Sequence, residues 1–135
     1  MTLVEALKQT SDKYTHAREN ASAWYSLMCG MVEDLEKSEV CYIAERAIHE
    51  SVLSVEVRSG WYAPGNSGDG DPSEYRITLT TGGPALQLVG ELDKYCTPQT
   101  ARLEMQDWGV PWQEHRGGVN EKVLLAFAAQ FYFGG

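Results

Sequence analysis

Hydrophobic positions along the chain follow a helical period, then a strand period, then a helical one again. Trp24, Met28, Met31 and Leu35 recur at helical steps, Ala21, Tyr25 and Val32 widen the stripe, and Leu27 flanks it. Asn20 is placed to cap this helix. Glu33, Asp34 and Glu36 fall outside the stripe. Ahead of it, Leu3, Ala6, Leu7, Tyr14 and Ala17 predict a first helix, although Thr10-Ser11-Asp12 interrupts the good helix formers. Behind it, Val40, Ile43, Ala44, Ala47 and Ile48 predict a short third helix with Ser38 as its cap.

Near Ser51 the period drops to two. Leu53, Val55 and Val57 alternate with Ser54, Glu56 and Arg58; Tyr75, Ile77 and Leu79 with Arg76, Thr78 and Thr80; Leu86 and Leu88 with Gln87 and Val89; Ala101, Leu103 and Met105 with Arg102, Glu104 and Gln106. The connections lack the dozen helical residues that a parallel crossover needs, because the one long loop, 61–73, carries Pro64, Gly65, Gly68, Gly70 and Pro72. Gly82-Gly83-Pro84 marks a tight turn. A last helix follows Asn120, with Val123, Leu124, Phe127, Ala128 and Phe131 inward and Gly134-Gly135 ending it. The expected fold class is α+β: a four-stranded antiparallel meander with N-terminal helices and one C-terminal helix packed on one face. The expected organisation is a single domain over 1–135, with a helical segment at 1–50 and a ββββα core at 51–135. Glu56, Arg58, Arg76, Thr78, Gln87, Glu91, Arg102, Glu104 and Gln106 then share the uncovered face, where their alternating signs serve cross-strand ion pairing or a polar partner.

Composition narrows the classes. A chain of 135 residues with 43% hydrophobic residues, four Trp, seven Tyr and three Phe can build one real core. No apolar run is long enough to span a membrane, and Met1-Thr2-Leu3-Val4-Glu5 lacks the basic and apolar regions of a signal peptide, so the expectation is a cytoplasmic protein. Cys29, Cys41 and Cys96 are odd in number and form no C-x-x-C pair, which fits free thiols in a reducing compartment. The formal charge of −8 is spread evenly along the chain, so no basic patch for direct nucleic-acid binding is visible. Glu33, Asp34, Glu36 and Glu39 form one local acidic cluster with Lys37 inside it, and read as a solvated helix face rather than an imitation of nucleic acid.

The meander sorts candidate residues to two ends. Trp61, Tyr62, Asp69, Asp71, Tyr95 and Cys96 gather at one; Thr81, Gly82, Gly83, Asp107, Trp108, Pro111 and Trp112 gather at the other. Trp108 and Trp112 either close an edge of the core or anchor a contact surface. Asn66 to Asp71 lacks the ligand spacing of a calcium loop and reads as a solvated loop. Cys96 and His115 could pair as nucleophile and base, but the meander puts them at opposite ends. His16, His49 and His115 have no metal-ligand spacing, and no G-x-G-x-x-G, P-loop or G-x-S-x-G occurs. No catalytic residue, metal or cofactor is expected. The partner-binding candidates are Trp61, Tyr62, Arg58, Arg76, Arg102, Glu104, Asp107, Trp108 and Trp112.

Several landmarks carry a resemblance. Ser54-Val55-Glu56-Val57-Arg58-Ser59-Gly60-Trp61-Tyr62-Ala63-Pro64-Gly65 resembles the opening of a small family of uncharacterised bacterial proteins found on plasmids, integrated elements and prophages. Thr81-Gly82-Gly83-Pro84-Ala85, Gly90-Glu91-Leu92, Gln106-Asp107-Trp108-Gly109 with Pro111-Trp112, and Phe131-Tyr132-Phe133-Gly134 are similar to its other landmarks. The match spans residues 52–134 and brings no activity or site residue with it. It implies a mobile-element context, in which small proteins often bind and block a host factor, anti-CRISPR and anti-restriction proteins among them. Three functions stay open. The first is a non-catalytic interaction protein bound to a host or mobile-element protein, with no membrane and no direct nucleic-acid contact, as a monomer or homodimer. The second is a small ligand-binding module or enzyme using the sheet end around Trp108. The third is a structural subunit that self-associates through its Met-rich second helix.

Overall fold

The computed structural model describes residues 14–37, 39–61, 64, 72–82, 84–107 and 110–134. In chain order these form helices α1 (Thr15–Leu35) and α2 (Cys41–Ser51), strands β1 (Ser54–Ser59), β2 (Pro72–Thr80), β3 (Ala85–Glu91), β4 (Arg102–Gln106) and β5 (Gln113–Glu114), and helix α3 (Glu121–Ala128). The strands make one antiparallel sheet in the order β1-β2-β3-β4-β5. The α+β meander expected from the alternation is therefore present, with one strand more than the four expected. β5 pairs only Gln113 and Glu114 with β4, and the ladder runs on through His115 N–H, which donates to Leu103 O at 2.8 Å.

The helical segment departs from expectation at its first boundary. No helix starts at Asn20: α1 begins at Thr15 and runs through it for 21 residues. Neither Gly nor Pro occurs before Gly30, and one Asn inside a helix costs only some tenths of a kcal/mol, about 0.7 at most. Asn20 instead donates from Nδ2 to Thr80 Oγ1 at 3.3 Å, tying α1 to the end of β2. Of the expected first helix, Tyr14 and Ala17 are buried at the start of α1, which runs on without a break into the expected second helix; Leu3, Ala6, Leu7 and the Ser38 cap lie outside the described residues. In α2, Ala44 and Ile48 are buried as expected, but Ile43 and Ala47 are exposed. α2 packs chiefly against α1, so a narrow stripe with a step of four is all it covers. α3 is capped as expected, Asn120 Oδ1 accepting from Lys122 N–H at 3.0 Å. Phe131 lies past the last turn yet still packs, 5.7 Å from the Phe127 ring and edge-on to His49 at 5.4 Å.

The core sits between the sheet and the helices. Val55, Ile77, Leu88 and Leu103 stand side by side across β1 to β4, and the last three are fully buried. Met28 of α1, Ile48 of α2, and Leu124 and Phe127 of α3 close over them. Burying each of these side chains is worth about 1.5–3 kcal/mol. α1 covers β3 and β4, and α3 covers β4. β1 is left at the thin edge: Leu53 and Val57, expected on the inner face, are 61% and 44% exposed. Among the described residues, no helix is long and apolar enough to cross a membrane.

Candidate functional site

The face of the sheet away from the helices carries an ordered set of charges. The strand registers set Glu56, Arg76, Val89 and Arg102 in one row, Thr78, Gln87, Glu104 and Glu114 in the next, and Arg58 opposite Glu74 on the other side. Arg76 donates from Nε and Nη2 to Glu56 Oε1, at 3.1 and 2.8 Å. Arg58 Nε donates to Glu74 Oε2. Arg102 Nε donates to Glu104 Oε2 at 3.1 Å, and Gln87 Nε2 donates to Glu104 Oε1 at 2.7 Å. The hydrogen bond and charge of Glu74 raise the Arg58 guanidinium above its ordinary value, and Arg58 lowers the Glu74 carboxyl in return.

Gln87, expected to be exposed on this face, is buried, and so is its neighbour Val89. Gln87 and Val89 are each 8% exposed. Val89 lies in register between Arg76 and Arg102, whose aliphatic stems stand on either side of it. Gln87 has its amide engaged by Glu104. The long arms leave a cleft of about 290 Å³ whose lining includes Glu56, Arg58, Arg76, Gln87, Arg102 and Glu104. Exposed ion pairs contribute only about 0.2–1 kcal/mol each. The ladder therefore adds little to stability. What it supplies is a fixed alternation of donors and acceptors in one plane.

A second depression, of about 380 Å³, lies where β5 ends and the chain turns toward α3; Thr100, Glu114, His115, Arg116 and Glu121 are among its lining residues. His115 is buried, and its Nε2 lies 3.4 Å from Ser22 Oγ. Burial, with the Arg18 charge as a smaller cause, pushes its imidazole below the ordinary histidine value. Glu121 Oε2 accepts from Ala101 N–H at 3.3 Å, so this carboxylate is committed to the sheet edge. A nucleophile needs a base that is itself oriented by a third group. Among the described residues, Ser22 is the hydrogen-bond partner of the His115 ring, and Ser22 does not line the depression. No group of three or more His, Cys, Asp or Glu among the described residues could hold a metal ion.

The expected sites divide as follows. The order of the strands puts Trp61, Tyr95 and Cys96 at one end of the sheet, and Thr81, Gly82, Asp107, Pro111 and Trp112 at the other. Trp61 is fully exposed and Tyr95 is 74% exposed. Trp112 is 41% exposed beside buried Val110, and the neighbouring Pro111 carbonyl accepts from Tyr14 Oη at 3.1 Å. Tyr62, Asp69, Asp71, Gly83, Trp108 and the 66–71 loop lie outside the described residues. Arg58, Arg76, Arg102 and Glu104 come together on the open face. Sequence reasoning missed Glu74 and Val89 as members of that face; counting back two from Arg76 and on two from Gln87 reaches both. It also missed Glu114 and Arg116, which form an ion pair beyond β4, because a two-residue strand has no period to read.

No family model matches the sequence, and neither a curated protein nor a solved structure matches it.

Proposed function

We propose that this chain is a non-catalytic protein-binding module, encoded by a phage or other mobile element, whose recognition surface is the open face of the sheet. Its role in this reading is to bind and block a host protein, a defence component in particular. The observation that carries the reading is the charge ladder of Glu56, Arg58, Arg76, Arg102 and Glu104 around one cleft. The cleft holds neither a histidine nor a cysteine among its lining residues, and its arginines and glutamates are bound to one another, a poor arrangement for acid–base work and a good one for matching a second polar surface. The mixed signs and the overall charge of −8 favour a protein surface of alternating charge over nucleic-acid phosphates. The mobile-element part of the reading is supported by the resemblance of residues 52–134 alone.

The test compares the wild-type chain with the Arg76→Gln, Arg102→Gln double variant in quantitative pull-downs from bacterial lysate, followed by binding to the purified captured protein. Both positions are exposed, so the fold should tolerate the change. The expected result is a partner recovered at least about tenfold less by the variant, with salt-sensitive binding in the purified system. Equal recovery by the two proteins, or capture that does not reproduce with purified partner, counts against the open face as the recognition surface.

A further inference from the structure

We infer that two copies of this chain pair through the outer edge of β1, joining their sheets across a two-fold axis at Val57. This rests on β1 itself; Glu56 and Arg58 are shared with the open face, but the pairing does not require the function proposed for that face.

The phase of the backbone comes first. Leu92 N–H donates to Ser73 O at 2.8 Å, and β2 and β3 pair Tyr75 with Gly90 and Ile77 with Leu88. Ser73, Tyr75 and Ile77 therefore turn their main-chain groups toward β3. By alternation Glu74, Arg76 and Thr78 turn theirs toward β1, where they meet Arg58, Glu56 and Ser54. Val55, Val57 and Ser59 are left with N–H and C=O pointing outward. Among the described residues, no strand pairs with that edge. An edge of this kind is a ready template for another strand.

The side chains then select the register. With the axis at Val57, the outward-facing residues pair with one another: Val57 with Val57, and Val55 with Ser59 on both sides. Glu56 falls directly opposite Arg58 of the second copy, twice, at a pair without mutual backbone bonds, where side chains stand closest. Both groups have capacity for this. Arg76 occupies Oε1 of Glu56, and Arg58 gives Nε to Glu74, so among the described residues Oε2 of Glu56 and the Nη groups of Arg58 have no partner. Moving the axis to Glu56 sets two carboxylates face to face, and moving it to Arg58 sets two guanidinium groups face to face. The chosen register also puts Leu53 against Trp61 of the second copy. These two side chains flank β1, on either side of its register shift at Arg58/Ser59, and are 61% and 105% exposed. Val57, 44% exposed, meets its own copy at the axis. Among the described residues, the helices cover β3 and β4 rather than β1, which leaves that edge to a second sheet.

The experiment uses the full chain in sedimentation equilibrium over a concentration series, together with the variants Val57→Lys and Val57→Glu. The wild-type mass should double from 15.0 kDa as concentration rises. Each variant alone should stay at the monomer mass, because like charges meet at the axis, and an equimolar mixture of the two should return to the doubled mass. A wild-type chain that stays monomeric overturns the inference, as do variants that each dimerise like the wild type, or a mixture that does not re-associate. Circular dichroism checks that each variant folds. A readout that needs no variant is amide exchange of the wild-type chain: Val55, Val57 and Ser59 should slow markedly between low and high concentration. Identical exchange at the two concentrations overturns the pairing.

Discussion

Gly90→Ala should be among the most damaging single-methyl changes available in this fold. Gly90 sits in β3 opposite Tyr75, beneath the main chain of Thr100. A Cβ at residue 90 would lie 1.9 Å from Thr100 O and 2.8 Å from Tyr75 Oη. The carbonyl is the end of a flexible chain in neither direction. It accepts from Tyr75 Oη at 2.7 Å, while Thr100 Oγ1 accepts from Glu91 N–H at 2.9 Å and Glu91 O accepts from Gln99 N–H at 2.8 Å. Making room for the methyl means moving Thr100 by more than about 1 Å, enough to break these three bonds. At about 1 kcal/mol per bond, with about 1–3 kcal/mol for overpacking and a return of about 0.4–1 kcal/mol from the stiffer unfolded chain, the net loss is about 4 kcal/mol. That is a large part of the 5–15 kcal/mol, roughly, that holds a small domain together. Equilibrium urea unfolding followed by tryptophan fluorescence measures it. With a slope of about 2 kcal/mol per molar, the midpoint should fall by about 2 M. Tyr75→Phe supplies the check on mechanism, since it removes the hydroxyl from the crowd in advance. On that background Gly90→Ala should cost about 1 kcal/mol less. A midpoint shift under about 0.5 M for Gly90→Ala, at unchanged slope, would falsify the account of why a glycine stands there.

Stability should also depend on pH through His115. Its folded value is depressed by burial and by Arg18, so its contribution is complete above the unfolded value of about 6.5 and is lost as pH falls toward the folded value, where the unfolded chain takes up a proton that the folded chain refuses. Urea midpoints at about pH 7.5 and about pH 5 should differ more for the wild type than for His115→Gln, and equal differences would remove His115 from the explanation. Asn120→Ala should cost about 1 kcal/mol, read by the same unfolding assay, because Lys122 N–H loses its acceptor at the start of α3; a neutral change would show that Tyr25 Oη, which accepts from Asn120 N–H at 2.9 Å, holds that helix end unaided.

The sheet was legible because its signal is local and redundant. In β2, Tyr75, Ile77 and Leu79 report the same inner face three times over, and β3 and β4 repeat the pattern in register with it. Helix boundaries were less legible because tertiary contacts override weak local preference. Asn20 has the chemistry of a cap, yet Thr80 Oγ1 gives its amide a partner in mid-helix, and the helix runs on. The meander made β1 an edge, but how far the helices reach over that edge was not legible. Leu53 and Val57 carry the same alternation as Ile77 and Leu79, but they lie at and just before an edge strand that α1 and α3 do not cover. Period gives the face of a residue; only the order of the layers gives its burial.

The open face shows the same division at a finer scale. Its charged members could be read by counting in twos, because parity alone decides on which side of a strand a residue stands. Which charges meet depends on the register between strands, and no spacing along the chain contains it. Arg76 binds Glu56, twenty residues earlier, while Arg102 turns to Glu104 on its own strand rather than across to β3. Register also explains why Gln87 and Val89 are the buried ones. Gln87 and Val89 occupy the middle strand, so they have long neighbours on two sides, whereas Glu56 and Arg58 have them on one. Glu56 and Arg58 keep unused bonding capacity, and on β1 they keep it at the free edge. A sheet that leaves opposite charges two residues apart on an open edge has the pattern needed to recognise a copy of itself, and that follows from which strand comes last rather than from composition.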